Sequence, residues 1–328
     1  MAATVVVCPR RAAALPAAAV PALRTATAVL AAAELEPGVR TAAGAGTWDG
    51  DDPAALPDGT VLLVPAGHPA ADDAAIAGPD GAALLDAVAV MDRLRSPGGC
   101  PWDAEQTHAS LLRYLVEECY ELYQAIEDED RTELREELGD VLLQVLFHAR
   151  VAAEDPGSPF GIDDVATGLV DKLVGRHPHV FAAGEQVHTA ADQDRRWDEL
   201  KQAEKRRESC VDGIATAQPA VALAAKLASR TAKAGFPADL LPGGGSEDHG
   251  VDDGVADGLD DGVGERLFGL AAAAQLDGGD PEAALRTVAR EFDARVRATE
   301  KAAAADGADP HALSADQWRR YWAATTCV

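Results

Sequence analysis

The sequence predicts a mainly α-helical bundle with a small α/β appendage at its N-terminus, and three observations carry that expectation. Apolar residues between Leu111 and Val145 recur at intervals of three and four, the period of amphipathic helices. Hydrophobic residues make up 47% of the 328-residue chain, enough for a sizeable core, and alanine supplies much of that share, which favours helix. Short β-branched runs, Thr4 to Cys8 and Val61 to Val64, fall near the start of the chain.

Taken in order, residues 1–80 read as strand, an Ala-rich helical stretch to about Ala33, a loop of Gly, Asp and Pro, and a second strand. A helix from about Ala82 to Arg95 leads into the central region. Leu111, Leu115, Leu122 and Ile126 mark the buried stripe of the next helix; Leu134, Leu138, Val141, Leu142 and Val145 mark that of its partner. The polar run Glu127 to Arg131 turns the chain between them, with Asp130 and Glu133 as the second helix's N-terminal cap. The pair reads as a hairpin with one apolar and one acidic side. A third helix holds Lys172 and Arg176 and ends at the turn His177-Pro178-His179, an ordinary loop. From Pro242 to Gly264 the glycines and the missing apolar period predict a disordered acidic linker, and the oxygen spacing of a calcium loop is not met. Packing helices follow near 265–277 and 281–303. A last helix, 314–324, carries Trp318, Tyr321 and Trp322 on one side and docks on the core or on a dimer partner.

Chemistry concentrates in two acidic clusters, EECYE at 117–121 and EELGD at 136–140. Glu118 and Glu121 are three apart, as are Glu137 and Asp140, so each pair stands on one helix face one turn apart. One acid-rich helix is usually a solvated face; two clusters with matched spacing point to a site. Four carboxylates set against one another repel and resist desolvation unless a hard divalent cation sits among them, and Mg²⁺ suits a site whose other ligands are phosphate oxygens. Gly139 costs about 1 kcal/mol in a helix interior relative to Ala, which predicts close approach by a helix or a ligand.

EExxE followed by ExxD resembles the signature of the MazG family of all-α nucleoside triphosphate pyrophosphohydrolases. The neighbouring blocks agree: GCPWDAEQTH from Gly99, LLQVLFHAR from Leu142, DKLVGRHPHVF from Asp171, RRWDELKQAEK from Arg195 and KLASRTAKAGF from Lys226, in order within residues 82–236. The resemblance implies hydrolysis of a nucleoside triphosphate between its α and β phosphorus atoms, giving monophosphate and pyrophosphate. It implies Glu118, Glu121, Glu137 and Asp140 as Mg²⁺ ligands, with Mn²⁺ as a substitute, the metal neutralising the triphosphate and acidifying a bound water. Glu117 is then the spare acid: it orients or deprotonates that water, or, rotated by about 100° from Glu118, it is an outer or exposed residue. Lys172 and Arg176 match a basic stretch used near the phosphates, and otherwise are a surface pair. Val174 and Gly175 depart from that stretch, where charged residues are usual. Trp102 and Trp197 stack on the nucleobase, or pack in the core or at a helix interface.

Whole-chain charge narrows the partners. A net charge of −26, from 29 basic and 55 acidic residues, argues against DNA, RNA or an anionic membrane surface. Free nucleotides stay open as ligands because a bound cation supplies local positive charge. Five dispersed cysteines without a CxxC pair fit a reducing, cytoplasmic compartment, and prolines and arginines break up the Ala-rich start before a membrane span accumulates.

The expected organisation is an appendage of unassigned role at 1–80, a catalytic MazG-like domain at 82–208, and a degenerate second module at 209–328. In the last, Glu265 and Gly262 stand where Asp and Glu are needed, so the module is expected to be catalytically silent. A homodimer with the acidic faces near its interface follows from the half-striped hairpin and the superfamily's habit of pairing hairpins. Two other readings remain: a non-catalytic helical interaction module whose acids bind a basic partner or are relics, and a narrow pyrophosphatase acting on dUTP or a phosphoribosylated nucleotide. Intact acids in the first module against decayed ones in the second favour the enzyme.

Overall fold

The computed structural model describes residues 3–11, 14–50, 52–72, 74–78, 80–182, 189, 208–243, 262–309 and 312–325. It divides into two compact units, Met1–Gln186 and Val187–Val328.

The first unit opens with a four-stranded parallel sheet in the order β1-β4-β2-β3, made of β1 (Thr4–Cys8), β2 (Ala28–Ala32), β3 (Gly46–Trp48) and β4 (Thr60–Pro65). Every residue of β4 is buried, as a central strand of a parallel sheet requires. Its side chains alternate between two cores: Val61 and Leu63 join Val6 and Ala31 on one face, Leu62 and Val64 join Val5 and Ala32 on the other. Short helices α1 (Val20–Thr25) and α2 (Pro37–Ala43) fill the connections.

One expectation fails here. The Ala-rich stretch is helical only as far as Thr25, and Ala28–Ala32 is a strand paired on both sides. The slot between β3 and β4 supplies backbone partners, and Ala31 and Ala32 are fully buried in it. That outweighs alanine's helical preference. Regular structure also extends into the predicted Gly/Asp/Pro loop, which contains α2 and β3.

The appendage docks on α3 (Ala82–Arg95) through one carboxylate: Asp86 accepts backbone N–H bonds from Arg10 at 2.7 Å and Arg11 at 2.5 Å. Burial, with Asp86 nearby, pushes the Cys8 thiol up to about 11, so it stays protonated and unreactive near neutral pH. After α3 come the short α4 (Pro101–Glu105), then α5 (His108–Glu127), α6 (Arg131–Ala152), α7 (Ile162–Arg176) and α8 (Pro178–Phe181). Gly99 is required in the lead-in, because a Cβ there would lie 2.2 Å from the Leu94 carbonyl oxygen. Met91, Leu111, Leu146 and Phe147 form the core that α3, α5 and α6 share.

The second unit comprises α9 (Ala220–Lys233), α10 (Val263–Leu276), α11 (Pro281–Ala305) and α12 (Ala315–Ala324). α9 and α10 bury small faces, Ala224, Ala225 and Ala228 on one and Ala271 and Ala272 on the other. α12 docks on α11 as expected: the Trp322 ring meets Phe292 at 5.7 Å, Arg295 sits 4.1 Å over it, and the Thr299 and Thr325 hydroxyls are 2.9 Å apart. Most of the predicted acidic linker, residues 244–261, lies outside the described residues. No described helix is long and apolar enough to cross a membrane.

Candidate metal centre

Two long helices and a tight turn bring the acids together. α5 begins with a reciprocal cap, in which Ser110 N–H donates to Thr107 Oγ1 and Thr107 N–H to Ser110 Oγ. Glu129 turns the chain with left-handed backbone (φ 54°), and Asp130 Oδ1 accepts from the N–H groups of Thr132 and Glu133 to start α6. The two helices then pack antiparallel along their length.

Glu118 from α5 with Glu137 and Asp140 from α6 each place a carboxylate oxygen within 4.8 Å of the others. All three are partly buried. Glu121, the fourth predicted ligand, is exposed and stands outside this trio, but it hydrogen-bonds to Glu118. Partial burial, then Asp140 and Glu121, raise the Glu118 carboxyl above its ordinary range; partial burial, then Glu121 and Asp140, do the same for Glu137. Glu137 Oε2 is buried with no hydrogen-bond partner. A carboxylate oxygen left orphaned among like charges is an unsatisfied ligand atom, so the residues fit a hard, oxygen-seeking divalent cation.

The hairpin does not separate an apolar side from an acidic one. With about 100° per residue, Glu118 shares its face with buried Leu111 and Ala125, and Glu137 shares its face with buried Gln144. The acids therefore lie in the seam between the helices. Three residues of the predicted stripe point elsewhere: Ile126, Leu138 and Val145 are 58%, 53% and 41% exposed. A seam between two helices covers only a narrow face of each, and these three side chains fall outside it. Among the described residues Gly139 meets nothing within 4 Å, so no described helix makes the close approach predicted for it.

The remaining predicted residues are spread over several elements. Glu117 is exposed beside Glu118. Trp102, half exposed, meets Tyr114 and Phe147 edge-on at 6.1 and 6.3 Å. Lys172 is exposed on α7, while Arg176 is buried at its end. Trp197 and the block from Arg195 to Lys205 lie outside the described residues. His177 is held by its ring Nδ1 against the Leu173 carbonyl at 2.7 Å, and a one-turn helix follows where a loop was expected.

Sequence reasoning missed the clasp that holds the lead-in to α5. The Arg95 guanidinium pairs with both Glu154 oxygens, at 3.0 and 2.7 Å, and donates to the carbonyls of Asp103 and Gln106 at 2.6 and 3.0 Å. Arg150 joins Glu154 to Asp92, at 2.7 and 2.8 Å. The Arg95 guanidinium, first as hydrogen-bond donor, holds the Glu154 carboxyl below the usual range. These partners lie up to 59 positions apart and follow no local period.

Comparison with known proteins gives the family. Residues 106–181 match the MazG nucleotide pyrophosphohydrolase domain. An uncharacterized 26.1 kDa protein of Streptomyces cacaoi is 52% identical over 67% of this chain and 84% of its own length. A protein of Mycolicibacterium smegmatis named nucleoside triphosphate pyrophosphohydrolase is 42% identical over 84% of this chain and 82% of its own. A solved structure of a mazG-related protein from Thermotoga maritima covers 37% of this chain at 28% identity, with a TM-score of 0.30. Fold, domain match and relatives together define a mainly helical hydrolase of nucleoside triphosphates. The chain belongs to the MazG family.

Proposed function

We propose that this chain is a Mg²⁺-dependent enzyme that hydrolyses ribo- or deoxynucleoside triphosphates to the monophosphate and pyrophosphate, serving as a housecleaner of the cytoplasmic nucleotide pool. The observation that carries this reading is the trio of Glu118, Glu137 and Asp140, with an orphaned Glu137 oxygen facing like charges. Those three residues, with Glu121 at their edge, would hold the ion. When bound, it would offset the triphosphate charge and make a water more acidic. The chain's own residues do the rest. Glu117 orients the attacking water, Lys172 and Arg176 take phosphate oxygens, and Trp102 and Trp197 hold the base by stacking. The catalytic domain is assigned to 82–208.

The module at 209–328 is read as silent, because Gly262 and Glu265 occupy its ligand positions. Two copies of the chain pair as a homodimer with the acids of the hairpin near its interface. Incubation with each common triphosphate and Mg²⁺, followed by product identification, tests the reaction. Monophosphate with pyrophosphate is expected, and diphosphate with orthophosphate would falsify the assigned bond.

A further inference from the structure

His108, the first residue of α5, and His148, on α6, bring their Nδ1 atoms to 2.7 Å, with ring planes 2° from parallel and centroids 5.0 Å apart. Stacked rings are kept about 3.5 Å apart by van der Waals repulsion, so a 2.7 Å contact between parallel rings rules out stacking. The imidazoles lie edge to edge, joined by one in-plane N–H···N bond. His148 Nε2 is buried without a partner. That assigns the bare nitrogen to Nε2 and the bonding hydrogen to His148 Nδ1, so the exposed His108 accepts at Nδ1 and keeps Nε2–H in water.

A further proton finds no good seat. On His108 Nδ1 it sets two N–H groups head to head, unless His148 moves its hydrogen to Nε2, where no acceptor waits. On His148 Nε2 it creates a buried, unpartnered cation. Burial, then the neighbouring His108, push the His148 imidazole below its ordinary range. Asp155, on the turn after α6, is a carboxylate within electrostatic reach of His108; it also accepts from the N–H groups of Gly157 and Ser158. The pair closes one end of the seam that holds the acids: Glu137, Asp140, Gln144 and His148 follow one another at three and four along α6. Gln144 Oε1 between them is also buried without a partner.

We propose that the His108–His148 bond is a proton-governed clasp that sets the separation of α5 and α6, positions Glu118, Glu137 and Asp140 for a cation, and releases when the pair takes up one more proton. Both histidines are positioning residues, and the proposal rests on reading the trio as a cation site. Because the folded state disfavours the protonated His148, the clasp's stabilisation is full above the ordinary histidine range. It is lost as pH falls through that range toward the lowered folded value.

The test is Mg²⁺ affinity of the full chain, by calorimetry from about pH 7.5 to about pH 5.5, in the wild type, His148→Asn and His148→Leu. Protonation of the shared carboxylates weakens all three proteins alike, so their ratios isolate the pair. Asn presents an N–H where Nδ1 stood and can turn its carbonyl toward a protonated His108. The wild type should match His148→Asn at the upper pH and fall about tenfold below it at the lower, with His148→Leu weaker throughout. A ratio of wild type to His148→Asn that stays constant across the range overturns the proposal. Nitrogen NMR titration of the wild-type imidazoles decides the clasp without any variant, whether or not nucleotides are hydrolysed: coupled, lowered titration supports it, and two independent titrations at ordinary values sink it. Absence of Mg²⁺ binding in all three proteins overturns the cation reading, and the imidazole titration still decides the clasp.

Discussion

Glu137→Gln should lower kcat by more than about 100-fold while making the metal-free protein more stable. The rate loss follows from its place in the trio, since even the outer partners of metal ligands are worth about 10–100-fold. The stability gain follows from electrostatics. The Glu118 and Glu137 carboxyls lie above their ordinary range because they are partly buried among like charges. In the window between the ordinary carboxyl value and the raised one, the folded protein holds more protons than the unfolded chain. Its stability therefore falls as pH rises through that window and stays reduced above it. The neutral amide of the variant would remove one repelling charge and shrink this slope. Thermal melts in chelator across mildly acidic to neutral pH, paired with steady-state kinetics in Mg²⁺, check both halves. A variant that loses activity by losing its fold would show a lower melting temperature instead of a higher one.

Arg95→Met should destabilise the protein by about 2–4 kcal/mol, a loss of several degrees in Tm for the first unit. The substitution keeps much of the side chain's packing and removes four hydrogen bonds at once, two to Glu154 and one each to the Asp103 and Gln106 carbonyls. The Arg95 side chain is 5% exposed, so water cannot easily replace them. The lead-in carrying Trp102 loses its anchor, and Arg150 remains the only partner of Glu154 in the clasp. Differential scanning calorimetry reads the stability. A companion measurement of KM against kcat separates a loosened lead-in, which weakens substrate binding, from damage to the acids. An unchanged Tm would show that the clasp contributes no net stability.

The fold was legible where periodicity is strong and local. The helices at Ala82–Arg95, His108–Glu127 and Arg131–Ala152 announce themselves by spacing and by the Asp130 cap, and the two acidic clusters mark the candidate site. Ala28–Ala32 was misread because its strand state comes from neighbours far along the chain, which composition does not encode. The hairpin's faces were misread although period places the acids: Glu118 stands three after Leu115 and four before Leu122, and Glu137 three after Leu134 and four before Val141, so both share the apolar stripe and do not oppose it. The Arg95–Glu154 pair and the histidine pair escaped notice because their partners lie 59 and 40 positions apart and are residue types common at surfaces.

The cation site can be reached without turnover. Titration of Mg²⁺ into the full chain by calorimetry, beside Glu137→Gln and Glu265→Ala, should give a saturable heat in the wild type, the same heat in Glu265→Ala, and none in Glu137→Gln. Equal heats from wild type and Glu137→Gln would contradict the assignment of the seam between α5 and α6 as the metal centre.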